Sequence, residues 1–333
     1  MLPQPVLFVE GFVSLDNRRL KCYNFLIMDK LRVGVVGVGH LGSIHTRVYS
    51  RLRHVKLVGV CDCNLERAIE IGKKYKTASY SDYEKLFGNV DAVSIAVPTS
   101  LHYNVAKEFL KNKIHVLIEK PITKTLSEAD ELIDIAKTNG LILQVGHIER
   151  FNSAVLAIEP YLKKPKFIEC QRLGPFHMRV KDVGVVLDLM IHDIDIVLGL
   201  MKQDVINIEA VGLSTISDYE DVANVRLTFE DGTIADITAS RVTKDAVRKM
   251  RIFQEDSYVS LDYVTQEAAI FRKTEDKILK EKIKIIKKEP LKKELKSFID
   301  CVRNSKRPVV SGLEGRRALQ VALAIVEKIK PTK

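Results

Sequence analysis

Short apolar runs alternate with amphipathic stretches along the first 150 residues. The runs of strand length lie at 31–36, 55–62, 91–97, 114–118 and 141–146. Between them stand stretches with apolar residues at helical spacing, such as 65–75. Repeated strand–helix–strand units predict a doubly wound parallel sheet, so we expect an α/β domain over residues 29–150.

The pattern changes after residue 150. A long apolar helix is predicted at 183–201, and beyond it polar and apolar positions alternate. Asp231 and Gly232 favour a tight turn between two alternating runs, which is typical of a hairpin. We therefore expect a second domain over 151–333, with an antiparallel sheet that has one dry face and a closing helix at 313–329.

The formal net charge of +10 is concentrated near the end of the chain, in residues 277–296. There Ile283, Ile285 and Ile286 are interleaved with lysines, which predicts an edge strand with a wet lysine face. Pro290 then opens an amphipathic helix. No aromatic residues are interleaved with these lysines, so we expect acidic metabolites rather than nucleic acid as partners.

Other features of the composition restrict the class of protein. No apolar run approaches the roughly 20 residues of a membrane span, so we expect no membrane segment. The five cysteines lack CxxC spacing, so we expect reduced thiols, no metal site and a cytoplasmic location. We interpret residues 1–28 as an extension that is disordered or not native, with Met28 as the start. The uncovered face of the second sheet is the expected contact in a homodimer or homotetramer.

A glycine-rich turn follows the first predicted strand. Gly37, Gly39 and Gly42 have the G-x-G-x-x-G spacing of a dinucleotide-binding loop, where a helix N-terminus faces the pyrophosphate. Asp62 ends the next strand, 20 residues after Gly42, where an acid meets the adenosine ribose. We expect NAD rather than NADP, a preference that the nearby Arg67 weakens. The loop contacts expected for the cofactor are Gly37, Val38, Gly39, His40, Leu41 and Gly42.

The run at 114–118 breaks off into Glu119, Lys120 and Pro121. Ligands bind at the carboxyl edge of such sheets, and a lysine held there in low-dielectric surroundings can exchange protons near neutral pH. Pro121 restricts Lys120 to extended backbone angles, which aims its ammonium group. The alternative is a solvated loop lysine paired with Glu119.

The apolar helix at 183–201 carries ionisable residues that a buried helix normally lacks. Asp188, His192 and Asp195 stand at i, i+4 and i+7, so we expect them on one face. Buried ionisable groups are costly unless they meet a partner or a ligand. The two interpretations are a satisfied core network and a substrate site.

Taken together, the glycine loop, Glu119-Lys120-Pro121 and Asp188-x-x-x-His192 resemble the Gfo/Idh/MocA oxidoreductase family over residues 29–333. The resemblance implies a Rossmann domain followed by an α/β domain with a large, mostly antiparallel open sheet. It implies that Lys120 is catalytic, with Asp188 and His192 beside the substrate. It also places Pro98 and His102 near the nicotinamide and Glu119 at the cofactor ribose.

Residues 146–155 and 171–195 resemble the branch that oxidises C3 of UDP-N-acetylglucosamine-type sugars, found in polysaccharide and lipid A pathways. Val183 and Met190 depart from the glycines that are frequent in the family, which bears on the shape of the sugar pocket. Residues expected at the substrate, besides Asp188 and His192, are Arg150, Asn152, Arg172, His177, Arg179 and Lys181.

The expected reaction is NAD-dependent oxidation of a secondary hydroxyl. We expect Lys120 or His192 to take the hydroxyl proton, with Asp188 orienting and charging the histidine. Two alternatives remain open from the sequence: a dehydrogenase of free sugars, inositols or related polyols, and a non-catalytic NAD-sensing regulator. Retention of all three residues argues against the regulator.

Overall fold

The computed structural model describes residues 30–176 and 183–329. The extension predicted at 1–28 lies outside these residues. The first sheet is formed by the strands β1 Leu31–Val36, β2 Val55–Cys61, β3 Ala78–Tyr80, β4 Ala92–Ile95, β5 His115–Glu119 and β6 Leu143–Gly146. The helices between these strands are α1 His40–Tyr49, α2 Leu65–Tyr75, α3 Thr99–Lys111 and α4 Leu126–Thr138.

All pairings in the first sheet are parallel, and the strand order is β3-β2-β1-β4-β5-β6. The predicted doubly wound sheet is therefore confirmed. The chain turns from one side of β1 to the other between β3 and β4, so the sheet has its switch point beside β1. Ligands of open α/β sheets bind at the carboxyl ends of the strands at this point, where the glycine loop and the ends of β4 and β5 lie.

The second sheet has eight strands in the order β14-β13-β12-β11-β7-β10-β9-β8. Only β7 and β10 pair in parallel, and the other pairings are antiparallel, as predicted. Its strands are β7 Phe167–Leu173, β8 Val205–Leu213, β9 Val222–Phe229, β10 Ile234–Ser240, β11 Val247–Phe253, β12 Ser257–Asp262, β13 Glu267–Lys273 and β14 Ile278–Lys282. The helices that follow β6 are α5 Ser153–Ile158, α6 Ile191–Met201, α7 Pro290–Asn304 and α8 Gly312–Ile329.

The predicted hairpin is the pair β9 and β10, with Asp231 and Gly232 in its turn. The predicted lysine-rich edge strand is β14, which lies at the edge of the sheet but ends just before Ile283, earlier than predicted. Ile283 is buried, whereas Ile286 is 81% exposed. The lysine and isoleucine alternation therefore continues beyond the strand pairing, into a segment that leads to α7.

One face of the second sheet packs on α6 and α8 and forms the largest apolar core of the described ranges. The opposite face is not covered by any described element, and aromatic rings form a ladder across four neighbouring strands. Successive ring centroids are 5.6, 5.3 and 4.3 Å apart. The rings of this aromatic ladder are Phe167, Phe253, Tyr258 and Phe271.

The last two helices return to the first sheet. Leu291, Leu295 and Phe298 of α7 are buried in one cluster with β1 and α1. Gly312 and Gly315 bring α8 against β6, because an added Cβ at either position would lie under 3 Å from Leu143 or Val145. The predicted boundary near residue 150 divides the two sheets, but part of the segment after it packs on the first domain.

The helix predicted at 183–201 begins with a π-helical turn, Val186–Met190, which continues into α6. Glu220 accepts a hydrogen bond from the backbone N–H of Val186 at 3.2 Å. Gly184 leaves the space for this carboxylate, since an added Cβ would lie 1.9 Å from it. The turn that carries Asp188 is therefore held at its start by a side chain from the β8–β9 connection.

None of the helices in the two described ranges is long and apolar enough to cross a membrane.

Candidate active site

The glycine loop joins β1 to α1 at the switch point of the first sheet. Gly37 has φ +81°, a conformation that L side chains rarely adopt. A Cβ at Gly42 would lie 1.7 Å from the carbonyl oxygen of Gly37, so the loop closes on itself there. At Gly39, by contrast, an added Cβ would meet no atom within 4 Å. The loop therefore presents open backbone at one glycine and close packing at the other two, which fits a bound pyrophosphate.

Asp62 lies directly after β2 and is 5% exposed. It accepts hydrogen bonds from the backbone N–H of Val38 and of Asn64, both at 2.9 Å. The Arg67 guanidinium is 3.4 Å away. These contacts hold the glycine loop and place the Asp62 carboxylate beside the Arg67 guanidinium, at the position where the ribose contact was predicted. The ribose contact itself stays a prediction.

His102 of α3 ties together the loops that follow β4 and β5. One ring nitrogen lies 3.0 Å from the carbonyl oxygen of Val97 and the other 2.8 Å from that of Pro121. Burial lowers the pKa of this imidazole. The two loops predicted to cover the cofactor are therefore joined through a buried side chain, and Pro98 lies between them at the N-terminus of α3.

Lys120 and Asp188 meet although 68 residues separate them along the chain. The ammonium group donates to the backbone carbonyl of Asp188 at 2.5 Å and to its carboxylate at 3.3 Å. Both side chains are about four-fifths buried, with 18% and 20% of their surface exposed. The predicted convergence of the Glu119-Lys120-Pro121 strand end with the Asp188 helix is found in the structure.

These groups line one cleft of about 300 Å³ between the two sheets. Leu41 of the glycine loop, Pro98 and His102, Glu119 and Lys120, and Asp188 all contribute to its wall. The cleft thus gathers predicted cofactor residues with two of the three predicted catalytic ones.

Glu119 is 8% exposed and lies 3.1 Å from Nε2 of His45. His45 in turn contacts the hydroxyl of Ser94 at 3.2 Å, and Ser94 contacts that of Tyr49 at 2.9 Å. His45 was not singled out from the sequence, although it stands three residues after the last glycine of the loop. Such a histidine on the buried face of the first helix is a signal that pattern reading could have used.

His192 is the second residue of α6 and is half-buried. Burial lowers its pKa well below the usual value, and the nearby positive charges of Lys120 and Arg172 act in the same direction. Its imidazole is therefore neutral at neutral pH. No hydrogen bond or ion pair joins it to Asp188 within the described residues, where the Asp188 carboxylate pairs with Lys120 instead. The expectation that Asp188 orients and charges this histidine therefore needs correction.

The two acids that were predicted on one face with His192 have different partners. Asp188 contacts Lys120, whereas Asp195 accepts a hydrogen bond from Nε of Arg150 at 2.7 Å. The prediction of one shared face assumed α-helical spacing, but Asp188 stands in the π-helical turn, where the backbone bonds from i to i+5. The predicted group is thus divided between two environments.

The two described arginines among those predicted at the substrate, Arg150 and Arg172, are already paired. Arg172 is 3% exposed and donates to Asp193 at 2.8 and 2.9 Å and to Glu149 at 3.1 Å. Arg150 pairs with Asp195. Neither arginine lines the cleft of Lys120. The sequence predicted both guanidinium groups at the substrate, whereas the fold uses them in buried ion pairs.

Asn152 has a structural environment as well. It is 2% exposed and donates to the carboxylate of Glu149 and the carbonyl of Tyr263, both at 3.0 Å. Its side-chain oxygen accepts from the backbone N–H of Ala154 and caps α5. Of the remaining predicted substrate residues, His177, Arg179 and Lys181 lie outside the described residues.

Comparison with known proteins agrees with this arrangement. Residues 31–147 match the oxidoreductase family with an NAD-binding Rossmann fold, and residues 164–259 match the GFO/IDH/MocA C-terminal domain. The chain is 36% identical to UDP-N-acetylglucosamine 3-dehydrogenase of Acidithiobacillus ferrooxidans, over 90% of this chain and 97% of that protein. It is 26% identical to myo-inositol 2-dehydrogenase of Thermotoga maritima, over 90% and 96% of the two chains.

Among solved structures, UDP-N-acetylglucosamine 3-dehydrogenase GnnA of Acidithiobacillus ferrooxidans superposes with a TM-score of 0.87. That match covers 91% of this chain and 98% of the other, at 36% identity. Two domain matches in the expected order, together with a relative of this identity along nearly the whole chain, establish the family. The chain therefore belongs to the Gfo/Idh/MocA family of NAD-binding oxidoreductases.

Proposed function

We propose that this protein oxidises the C3 hydroxyl of a nucleotide sugar such as UDP-N-acetylglucosamine, with NAD as hydride acceptor. The observation that carries the proposal is the Lys120–Asp188 pair, which lies in one cleft with the glycine loop. The 36% identity to a UDP-N-acetylglucosamine 3-dehydrogenase supports the choice of substrate.

His192 is the proposed base. A base must be unprotonated when the substrate arrives, and the lowered pKa of His192 keeps its ring nitrogen free to accept the hydroxyl proton near neutral pH. The Lys120 ammonium, held by Asp188, would then donate a hydrogen bond to the same oxygen and stabilise the negative charge that develops on it.

The glycine loop and the loops after β4 and β5 would hold the cofactor, which when bound accepts the hydride. Gly39 offers an approach for the pyrophosphate, and α1 begins directly after it. Asp62 favours NAD because a carboxylate repels a 2′-phosphate. Arg67, at 3.4 Å from Asp62, is the feature that would admit NADP.

The proposed location is the cytoplasm. All cysteines of the described ranges, Cys61, Cys63, Cys170 and Cys301, are free thiols. Free thiols are typical of a reducing compartment.

We also propose that two copies associate through the uncovered face of the second sheet. The aromatic ladder crosses this face. Beside it lie Lys249 and Arg251 on β11, Asp262 on β12 and Glu267 on β13. A face that carries apolar rings and charges of both signs is self-complementary under a two-fold rotation.

The direct test is a substrate screen that follows reduced-nicotinamide absorbance. UDP-N-acetylglucosamine with NAD should give a higher kcat/KM than NADP with the same sugar or NAD with free polyols. The myo-inositol 2-dehydrogenase relative makes inositol the competing substrate, and preference for inositol over every UDP-sugar would replace the proposed function with a polyol dehydrogenase.

Lys120→Met tests the site within the same assay. Turnover should fall by about 10²–10⁴-fold, because the oxygen loses its charged hydrogen-bond donor, while the Kd for NAD changes by less than about threefold. Lys124→Met is the matched control, since Lys124 is exposed and lies outside the cleft. Equal turnover in the two variants would remove Lys120 from the chemistry.

A further inference from the structure

Several buried polar side chains have no hydrogen-bond partner in the structure. Within residues 30–176 and 183–329, the buried side-chain nitrogens and oxygens without such a partner belong to His45, Gln144, His147, His192 and Glu294. Buried polar groups in folded proteins are nearly always bonded to protein or to ordered water. His45 lies 3.1 Å from Glu119, so the other four residues are the ones that indicate hydrated positions inside the protein.

Two of these residues adjoin each other. The rings of His147 and His192 have centroids 6.4 Å apart and planes at 84°. Nδ1 of His192 and both ring nitrogens of His147 are among the unpartnered atoms. A single water can bridge rings at this separation, because it spans two hydrogen bonds of about 2.9 Å each.

His147 leads on to a buried carboxylate. Its Nδ1 lies 3.9 Å from Oδ2 of Asp195, and both side chains are almost fully buried. Asp195 is held by Arg150, whose Nη1 would lie 1.8 Å from a Cβ added at Gly199. The packing of Arg150 against that glycine fixes the carboxylate beside His147.

Asp195 and Arg150 line a second cleft of about 370 Å³, which shares no lining residue with the cleft of Lys120. Lys202 and Arg307 also line it, and both are exposed. This cleft is therefore separate from the proposed catalytic cleft and has exposed residues in its wall.

We propose that His192, a bridging water, His147 and Asp195 form a proton outlet from the catalytic cleft to this second cleft. The inference rests on the proposed function, which generates a proton in every oxidation. A nucleotide sugar and a dinucleotide bound at the catalytic cleft would block its opening, so a path through the protein would keep the base in contact with solvent. His147 is thereby assigned a role that its position in the fold does not otherwise explain.

A neutral imidazole is suited to this transfer. It carries a proton on one nitrogen and a lone pair on the other, so it accepts on one side and donates on the other. Burial lowers the pKa of His147 as it does that of His192, which keeps both rings in this form at neutral pH.

The charges around the path favour movement away from the substrate. Lys120, Arg172 and Arg248 act on His192 and oppose a resident positive charge there. Asp195 and Glu119 act on His147 in the opposite sense, while Arg150 and Lys120 partly offset them. The first ring thus has positive charges as its main charged neighbours, whereas a carboxylate lies 3.9 Å from the second.

The atoms of the reaction balance along this path. The carbinol carbon gives up a hydride to the nicotinamide and becomes a carbonyl carbon, while the hydroxyl proton passes to His192. His192 releases a proton from Nδ1 to the water, and His147 accepts one at Nε2. His147 releases its Nδ1 proton to Asp195 once a ring movement closes their 3.9 Å separation to hydrogen-bond distance, and Asp195 releases it to solvent. Both rings then return to their starting tautomers before the next turnover. Each turnover delivers one proton to the second cleft.

His147→Gln tests the outlet in stopped-flow single turnovers with UDP-N-acetylglucosamine and NAD, in weak buffer with a pH indicator. In the unmodified protein, proton release should coincide with the rise in reduced-nicotinamide absorbance. In His147→Gln the absorbance rise should stay within about threefold, whereas proton release should lag by about tenfold or more and recover when a small buffer is added. Glutamine fills similar space but does not exchange protons.

His115→Gln is the matched control, since His115 is a partly buried histidine that accepts from the backbone of Ile142 and lies off the path. Its proton release should stay coincident with hydride transfer. Coincident release in His147→Gln would overturn the outlet alone. Absence of hydride transfer from any sugar in the unmodified protein would overturn the proposed function and the outlet together.

A measurement that needs no turnover further separates the proton outlet from the proposed function. In the cofactor-free protein, the ¹⁵N resonance of His192 Nδ1 should shift in His147→Gln and stay unchanged in His115→Gln, because only the first alters the bridging water. Asp195→Asn is the second variant. It keeps the size and shape of the side chain but loses the proton acceptor, so it should give the same lag. An unchanged His192 resonance in His147→Gln would overturn the bridged contact.

Discussion

Two glycines of one loop have opposite surroundings, which makes them a matched pair for experiment. Gly39→Ala should leave the melting temperature within about 1 °C, since its Cβ meets no atom of the protein within 4 Å. It should weaken NAD binding by about tenfold or more, because the methyl group occupies the space where the backbone approaches the pyrophosphate.

Gly42→Ala is the counterpart. Its Cβ would lie 1.7 Å from the carbonyl oxygen of Gly37, so the loop must shift and the melting temperature should fall by several degrees. Thermal unfolding and NAD titration of both variants separate the two effects. Equal losses of stability in Gly39→Ala and Gly42→Ala would contradict the role assigned to Gly39.

For single residues, the sequence predicted which side chains lie at the candidate site better than it predicted which ion-pair partner each side chain has. Lys120 and Asp188 could be predicted because an amine at a strand end and an acid in an apolar helix both need an explanation. Arg172 could not be placed, because its partner Asp193 is one of several acids in the same helix and spacing does not say which of them turns inward. The sequence around an arginine does not distinguish a guanidinium that binds a sugar diphosphate from one that pairs with a buried carboxylate.

Among the helices, α7 carries an acid in its buried face. Glu294 is fully buried, and burial together with the charges of Glu119 and Asp195 raises its pKa well above the usual value. The folded state thus keeps this proton at a pH where the unfolded state has released it. The contribution of Glu294 to stability therefore decreases as pH rises from about 4.5 through the raised pKa.

Glu294→Gln should remove that pH dependence, because an amide does not ionise. Near pH 8 we expect a gain of at least about 1 kcal/mol in the free energy of unfolding, or a few degrees in melting temperature. Near pH 5 the gain should be much smaller. Glu327→Gln, an exposed position on α8, is the control. A gain that is the same at both pH values would contradict the raised pKa.

Most elements were predictable because their apolar period is regular. The boundaries of α2 agree with the prediction, and β5 and β6 agree closely. The apolar pattern after Phe151 predicts a helix that reaches Leu162, but α5 ends at Ile158 and gives way to a single 3₁₀ turn. The π-helical turn before α6 was not predicted, because an apolar stretch has no period that distinguishes one helical winding from another.

At the scale of the whole molecule, one face of the second sheet is left uncovered by the described residues of a single copy. Phe271→Glu together with Tyr258→Lys should lower the solution mass to that of one chain, because both substitutions place charge in the aromatic ladder. Light scattering coupled to gel filtration measures this mass. Ile286→Lys is the control, since Ile286 is 81% exposed outside the sheet. A single-chain mass in the unmodified protein would remove the proposed dimer.

The return of α7 and α8 to the first sheet could not be read from sequence. Their amphipathic patterns predict one buried face each, but a buried face does not name the surface that covers it. Leu295 and Phe298 pack with the first sheet, while Ala318 and Ile325 of α8 lie in the core of the second. Tertiary placement of this kind depends on contacts between residues that are far apart along the chain, such as Gly315 with Val145, which no local pattern encodes.

The bond between Lys120 and the main-chain oxygen of Asp188 also bears on which molecules the cleft selects. An ammonium group that is mostly shielded from water would be costly if it had no acceptor. A main-chain oxygen of the second domain already serves as that acceptor, at 2.5 Å. A substrate hydroxyl therefore competes with the chain itself, and molecules that offer this lysine no better acceptor leave this contact in place.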